Sequence, residues 1–89
     1  MYKVEYTEKF EKKLKSFDNS IQVLVLKWIK KHLVNCADPR ALGKGLTENL
    51  KGYWRYRIGK YRLLVEINEN NLTIIAIDID IRNKVYKRK

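Results

Sequence analysis

The dipeptide Gly59-Lys60 separates two segments in which apolar and polar side chains alternate, and it constrains the fold more than any other feature. Tyr53–Ile58 and Tyr61–Asn68 both have the period of two that is typical of strands with one buried face. Glycine at the first position of a two-residue loop suits a type II′ turn, which connects antiparallel strands. The sequence therefore predicts a β-hairpin over these residues.

Two further strands are predicted outside the hairpin. Residues 2–6 form a short alternating segment, with aromatic and apolar side chains on one face. Residues 72–81 are rich in isoleucine and follow a polar turn at residues 68–71. The sheet is therefore expected to have four strands.

Residues 8–17 have helical spacing. Phe10, Leu14 and Phe17 fall on one stripe of this segment, as expected for a helix with one buried side. Thr7 precedes the segment, and threonine at this position caps a helix by accepting a backbone N–H. We therefore predict a capped first helix.

A second helix is predicted over residues 20–35, where Asn19 and Gln22 resemble a capping box. Residues 36–51 have no clear periodicity. The resulting order predicts an α+β domain over residues 1–89, with a two-helix hairpin on one face of a mainly antiparallel four-stranded sheet.

Length and composition exclude several classes of protein. The chain has 89 residues and no apolar run of the roughly 18 residues that a membrane span needs. Its first residues lack the apolar stretch of a signal peptide. The single cysteine, Cys36, cannot form an internal disulfide, so we expect a reducing, cytoplasmic location.

Basic charge is concentrated in two arginine-containing blocks. The formal net charge is +10, and residues 51–62 and 82–89 each carry five basic side chains and no acidic one. Residues 63–81 carry four acidic side chains and no basic one. Because a guanidinium group matches the geometry of a phosphate, these blocks favour a polyanionic partner.

Strand parity sorts the predicted sheet into a core face and a charged face. The predicted core face comprises Trp54, Tyr56, Ile58, Leu63, Val65, Ile67, Ile75, Ile77, Ile79 and Ile81. The predicted charged face comprises Arg55, Arg57, Arg62, Asp78, Asp80 and Arg82. Two hypotheses stay open at this point: a solvated surface with cross-strand ion pairs, or a phosphate-binding cluster.

The sequence offers two other candidate catalytic sites besides the arginine cluster: an aspartate pair and a single histidine. Asp78 and Asp80 share a strand face and could form a metal pair, but nearby arginines satisfy them more simply, so we expect no metal or other cofactor. His32 is the only histidine and is expected to be an ordinary residue of the second helix. Composition therefore excludes a ribonuclease with two catalytic histidines.

Two stretches of the chain resemble motifs of the RelE/ParE toxin superfamily. Residues 53–63 have the sequence YWRYRIGKYRL, similar to the family's core motif, and residues 77–87 have the sequence IDIDIRNKVYK, similar to its C-terminal Arg-x-x-Val-Tyr signature. The opening YKVEYT and the Phe-x-x-x-Leu helix also fit, so the resemblance covers nearly the whole chain. It implies a RelE-like microbial ribonuclease fold.

The resemblance implies the toxin of a bacterial or archaeal type II toxin–antitoxin system. RelE-like members cleave mRNA in the ribosomal A site by attack of the RNA's own 2′-hydroxyl, without a metal. The implied partners are a cognate antitoxin, the ribosome and mRNA, with no membrane and no small-molecule ligand. Two alternatives remain open: a ParE-like inhibitor of DNA gyrase without nuclease activity, and a degenerate toxin that only binds nucleic acid.

The resemblance also implies roles for individual residues. The implied catalytic residues are Arg55, Arg57, Arg62, Arg82 and Tyr86. We also predict RNA contacts at basic residues that are not matched to the family's catalytic positions: Lys44, Lys51, Lys60, Lys84 and Lys87. We expect the arginines to stabilise phosphate charge and Tyr86 to assist proton removal. Asp80-Ile81 stands where many relatives have Gly-His, and the added acid lowers the local positive potential.

Overall fold

The computed structural model of the protein describes residues 1–41, 43–45 and 53–81. Within them lie two helices and five strands: β1 (Lys3–Tyr6), α1 (Glu8–Lys15), α2 (Asn19–His32), β2 (Lys44–Gly45), β3 (Tyr53–Ile58), β4 (Tyr61–Asn68) and β5 (Thr73–Ile81). This order confirms the predicted α+β fold. Neither helix in this part of the chain has the length and apolarity to cross a membrane.

The strands form one sheet in the order β1-β5-β4-β3-β2. β1 runs parallel to β5, and all other neighbours are antiparallel. The predicted arrangement of four mainly antiparallel strands is confirmed, and the short strand β2 adds an edge that was not predicted. Two residues carry no periodicity, so the sequence alone could not identify β2.

The predicted hairpin is also confirmed. β3 and β4 pair up to Ile58 and Tyr61, which flank the loop Gly59-Lys60. Gly59 has a φ of 60°, as the first loop residue of a type II′ turn requires. A residue with a Cβ atom is strained in this conformation, so glycine at this position fixes the register of the hairpin.

The start of α1 is attached to β5 through Thr7. The Thr7 side chain accepts a hydrogen bond from the Phe10 N–H at 3.1 Å, which confirms the predicted cap. The same hydroxyl donates to the Ala76 carbonyl at 3.1 Å. The helix therefore begins beside β5, at the point where β1 ends.

The predicted capping box of α2 is wrong. The helix begins at Asn19, one residue earlier than expected, and its N-cap residue is Asp18, which makes no side-chain cap hydrogen bond. Because Asn19 is already helical, its side chain does not occupy the cap position. Gln22 instead donates a hydrogen bond to the Phe17 carbonyl at 2.9 Å, which links α2 to the turn that follows α1.

Both helices cover the same face of the sheet. Phe10 and Leu14 of α1 and Val25 and Ile29 of α2 are buried in one apolar cluster. The strand residues in that cluster are Tyr56, Ile58, Tyr61, Leu63, Val65, Ile74, Ala76 and Ile79. The opposite face of the sheet therefore carries the arginines of β3 and β4.

A β-bulge interrupts the pairing of β5 with β4. Val65 pairs with Ala76 and Leu64 pairs with Asp78, so Ile77 is an extra residue on β5. The bulge reverses the parity of the first half of the strand.

The predicted core positions of β5 are therefore wrong in part. Ile75, Ile77 and Ile81 are absent from the apolar cluster, whereas Ile74 and Ala76 belong to it. Ile79 follows the bulge and is in the core, as predicted. Ile81 lies at the strand end and is 44% exposed.

The segment before β2 is anchored on β3 by Tyr56. The buried Tyr56 hydroxyl donates a hydrogen bond to the Pro39 carbonyl. Gly43 lies so close that a Cβ atom there would stand 2.7 Å from Cε1 of Tyr56. Burial raises the pKa of Tyr56 far above its ordinary value of 10.0. These contacts hold the chain against the sheet where β2 begins.

Candidate functional site

The register of the sheet aligns charged residues in two rows across one face. In the first row, Arg57 of β3 pairs with Arg62 of β4, and Arg62 pairs with Asp80 of β5. Side chains at paired positions project from the same face, with Cβ atoms about 4.5–5.5 Å apart. Two guanidinium groups and one carboxylate therefore start from adjacent positions.

The second row lies two residues along the same strands. Arg55 of β3 pairs with Leu64 of β4, and Leu64 pairs with Asp78 of β5. Lys44 of β2 occupies the register position next to Arg55. We call the surface formed by Arg55, Arg57, Arg62, Asp78 and Asp80 the charged face.

Arg62 lies between a cation and an anion in the first row. Only 8% of Arg62 is exposed, whereas Arg57 is exposed to solvent. Directly opposed like charges repel across strands, and a guanidinium pair is suited to share one anion. The first row therefore combines a nearly buried cation with an accessible one, an arrangement that favours a bound phosphate.

Two lysines of α1 reach the carboxylates of the charged face. Nζ of Lys13 lies 2.6 Å from Oδ2 of Asp80 and 4.0 Å from Oδ1 of Asp78. Nζ of Lys9 lies 3.8 Å from Oδ2 of Asp78, whose side chain is fully buried. These lysines offset the acids that the sequence places beside the arginines.

The sequence does not single out Lys9 and Lys13, because lysines on a helix usually form a solvated surface. Their spacing of four places them on one stripe of α1, next to the buried stripe of Phe10 and Leu14. That spacing is a weak signal on a helix with several lysines. Only the position of α1 beside β5 shows that this stripe meets Asp78.

The carboxylates of β5 are also held by their own backbone. Oδ1 of Asp78 accepts a hydrogen bond from the Ile79 N–H at 2.9 Å, and Oδ1 of Asp80 accepts one from the Ile81 N–H at 2.8 Å. These hydrogen bonds and the ion pairs with α1 together fix the orientation of the two carboxylates. In residues 1–41, 43–45 and 53–81, no three His, Cys, Asp or Glu residues form a metal-binding group.

A cleft of about 510 Å³ lies between α1 and the sheet beside the charged face. It is lined by Glu8, Lys9, Lys12, Lys13, Ser16 and Asp78. The cleft exposes the lysine stripe of α1 to solvent on the side of Asp78. The ammonium groups of Lys9 and Lys13 therefore lie on the side of β5 that faces away from β4.

Of the other predicted site residues, the structure describes two and leaves five outside the described part of the chain. Lys60 is exposed in the hairpin turn, and Lys44 is known by its register position in β2. The remaining predicted residues lie outside the described part of the chain: Lys51, Arg82, Lys84, Tyr86 and Lys87. The described site therefore consists of the arginines of β3 and β4, the acids of β5 and the lysines of α1.

His32 lies away from the charged face. Its ring packs on Trp28 with centroids 4.7 Å apart, and Trp28 in turn packs on Tyr56 at 5.5 Å. These aromatic residues belong to the side of the sheet that α2 covers. The contacts confirm that His32 is a packing residue of α2.

Comparison with known proteins places this fold in a family. The family model "ParE toxin of type II toxin-antitoxin system, parDE" matches residues 4–86. The toxin RelG of Mycobacterium tuberculosis is 35% identical over 51 residues, which are 57% of this chain. The match spans 59% of the length of RelG.

Solved structures show the same fold. A chain of the toxin–antitoxin complex RelBE2 from Mycobacterium tuberculosis superposes with a TM-score of 0.83 at 28% identity, covering 91% of both chains. The isolated RelE toxin of Escherichia coli gives a TM-score of 0.70 at 14% identity, covering 97% of this chain and 92% of that one.

The family match covers both helices and every strand of the described sheet apart from the first residue of β1. It also includes residues 53–63 and the Arg-x-x-Val-Tyr signature at residues 82–86. The chain thus belongs to the ParE toxin family of type II toxin–antitoxin systems, within the RelE/ParE superfamily.

Proposed function

We propose that this toxin is an endoribonuclease that enters the ribosomal A site and cleaves mRNA there. The observation that carries the proposal is the first row of the charged face, where Arg57 and Arg62 occupy directly paired positions. Lys13 offsets the neighbouring Asp80, so the row keeps a positive charge. Such a cluster suits a ribose–phosphate linkage.

The proposed reaction is an internal transesterification. The 2′-oxygen of the RNA forms a bond to the adjacent phosphorus, and the bond from phosphorus to the 5′-oxygen breaks. The 2′-hydroxyl loses its proton, and the departing 5′-oxygen gains one. The products are a 2′,3′-cyclic phosphate and a 5′-hydroxyl, with no net oxidation or reduction.

The arginines act electrostatically in this reaction. Their pKa lies above about 12, so they are poor proton acceptors, but their donors match the oxygens of a phosphate. One well-placed donor contributes about 3–4 kcal/mol to stabilising developing charge. We assign Arg62 to the scissile phosphate, and Arg55 and Arg57 to positioning and to support of the leaving group.

The remaining assignments rest on the sequence motifs alone. Arg82 is proposed to contact the scissile phosphate with Arg62, and Tyr86 to accept or relay the proton of the 2′-hydroxyl. The lysines are proposed to bind flanking phosphates: Lys44, Lys51, Lys60, Lys84 and Lys87. Lys44 has additional support from its register position beside Arg55.

The proposed regulator is a cognate antitoxin in the cytoplasm. The related RelBE2 structure is a toxin–antitoxin complex, and the RelE of Pyrococcus horikoshii was also solved with RelB. The charged face supports the same kind of partner here, because an acidic segment laid across it would neutralise the arginines and exclude RNA.

One observation favours a second function. The family model that matches this chain is named for ParE, so inhibition of DNA gyrase without nuclease activity is the alternative. Binding to gyrase would not need a nearly buried arginine paired with a second arginine. The charged face therefore favours cleavage of RNA.

Two assays on the purified protein distinguish these functions. We expect new mRNA 5′ ends on ribosomes in a reconstituted translation reaction, and no effect on supercoiling of relaxed plasmid by gyrase. Arg62→Ala is expected to abolish the new ends. Inhibited supercoiling with intact ribosome-bound mRNA would refute the nuclease proposal.

A further inference from the structure

We infer that Lys13 of α1 is a positioning residue that prevents Asp80 from competing with an RNA phosphate for Arg62. This inference rests on the proposed function in one respect, the assignment of Arg62 to the scissile phosphate. It concerns a residue on a helix that neither arginine motif includes. Its basis is the ion pair of Lys13 with Asp80 and the register position of Asp80 next to Arg62.

The geometry connects the three residues. Asp80 pairs with Arg62 in the sheet, so the carboxylate and the guanidinium start from adjacent positions on the charged face. Nζ of Lys13 lies 2.6 Å from Oδ2 of Asp80, a short distance typical of a strong hydrogen bond between charged groups. The side chain of Asp80 is 9% exposed, so water screens this pair only partly.

Removal of Lys13 would change the charge balance around Arg62. Asp80 would keep its negative charge without the ammonium group and would attract the adjacent guanidinium more strongly. The same carboxylate would repel a phosphate arriving at Arg62. Lys13 thus favours phosphate binding at Arg62 although Asp80 occupies the neighbouring position.

The fold holds Lys13 in place. The residue lies between Phe10 and Leu14 in sequence, and both are buried in the core. The Thr7 cap attaches the start of the same helix to β5. Only 25% of the Lys13 side chain is exposed, so its ammonium group has little freedom to leave the carboxylates.

Other lysines of α1 are less suited to this role. Lys9 lies 3.8 Å from Asp78 and its side chain is 54% exposed. Lys12 pairs with Glu8 at 3.8 Å, and both of these side chains are largely exposed. Lys12→Ala is therefore a matched control, because it removes the same charge from the same helix without touching β5.

The test is an NMR titration that follows the Nε–H signal of Arg62. The probe is a short single-stranded RNA with 2′-O-methyl groups, which cannot be cleaved. We compare the wild type with Lys13→Ala, Asp80→Asn, the double variant and Lys12→Ala. Thermal unfolding of each variant establishes that the titrations are made on folded protein.

Lys13→Ala is expected to shift the Arg62 Nε–H signal of the protein without RNA, and to weaken RNA binding about tenfold. The double variant Lys13→Ala/Asp80→Asn is expected to bind within about twofold of the wild type, since the competing charge is gone. Lys12→Ala should bind as the wild type does. This pattern supports the inference, because simple loosening of α1 would not be reversed by Asp80→Asn.

Other outcomes would overturn it. Unchanged RNA binding in Lys13→Ala would show that Asp80 does not compete for Arg62. Equal weakening in the double variant would show that Lys13 contacts RNA directly. The expected titration pattern in a toxin that leaves ribosome-bound mRNA intact would support the role of Lys13 and refute only the proposed nuclease.

Discussion

The β3–β4 hairpin and β5 both contribute side chains to the charged face, but different interactions position those side chains. In the hairpin, strict alternation in sequence becomes strict alternation in space, because the turn at Gly59 fixes the register locally. In β5 the alternation is broken at Ile77, where the bulge adds one residue. Local pattern therefore positions the arginines, whereas tertiary contacts position the acids.

The bulge coincides with a change of neighbour on the other side of β5. Pairing with β1 ends at Tyr6 and Ala76. The Thr7 hydroxyl then contacts the carbonyls of Ala76 and Ile77, and α1 takes the place beside the strand. β5 thus pairs with a parallel strand in its first half and lies beside a helix in its second. This difference shows that the positions of Asp78 and Asp80 depend on the packing of α1 against β5, and not on the local sequence pattern alone.

The largest expected effect is on the hairpin side of the charged face. Arg62→Ala should lower single-turnover mRNA cleavage on ribosomes by about 10²–10³-fold, because it removes a nearly buried donor worth about 3–4 kcal/mol. Lys27→Ala is the control, since it removes an exposed charge from α2 on the other side of the sheet. Equal rates for both variants would contradict the assignment of Arg62.

A matched pair of isoleucines tests the bulge. Ile74 is fully buried in the core, whereas Ile75 is only half-buried and outside it. Ile74→Ala should lower the free energy of unfolding by about 2–5 kcal/mol and Ile75→Ala by less than about 1 kcal/mol. Urea denaturation measures both values. The reverse order would show that β5 follows unbroken alternation and has no bulge before Asp78.

The hairpin turn gives a smaller effect. Gly59→Ala should cost about 1–2 kcal/mol, because φ at this position is 60° and a Cβ atom there meets no atom within 4 Å. The change in the free energy of unfolding therefore reports backbone strain alone. Lys60→Ala in the same loop is the control and should change stability by less than about 0.5 kcal/mol. A Gly59→Ala variant as stable as the wild type would contradict the proposed local control of register.

The smallest effect is a pH dependence at Tyr56. Burial raises its pKa well above the ordinary value of 10.0, so the folded state favours the neutral phenol. Its contribution to stability is constant below pH 10.0 and decreases as the pH rises above that value, because the unfolded chain ionises first. Tyr56→Phe should lower stability by about 1 kcal/mol at neutral pH, since it loses the hydrogen bond to Pro39.

The same variant should lose stability less steeply above pH 10.0 than the wild type does, as measured by urea denaturation at several pH values. Identical slopes for the two proteins would show that Tyr56 ionises as readily in the folded state as in the unfolded chain. The hydrogen bond to Pro39 would then contribute nothing to that pH dependence.

How much of the molecule the sequence predicts depends on how local each feature is. The Gly59 turn and the Thr7 cap are determined within a few residues, and both were predicted. The bulge at Ile77 depends on contacts with residues far away in sequence, and alternation alone gave the wrong core positions there. The role of Lys13 depends on the same contacts, so composition could only suggest a solvated lysine.

The most direct test of the proposed cleavage is to map the ends of mRNA fragments on translating ribosomes after addition of the wild-type toxin or Arg62→Ala. We expect fragments with a 5′-hydroxyl and a matching 2′,3′-cyclic phosphate for the wild type, and a loss of these ends in the variant. Intact mRNA with the wild-type toxin, or equal cleavage by both proteins, would contradict the proposal that the charged face binds and cleaves one ribose–phosphate linkage.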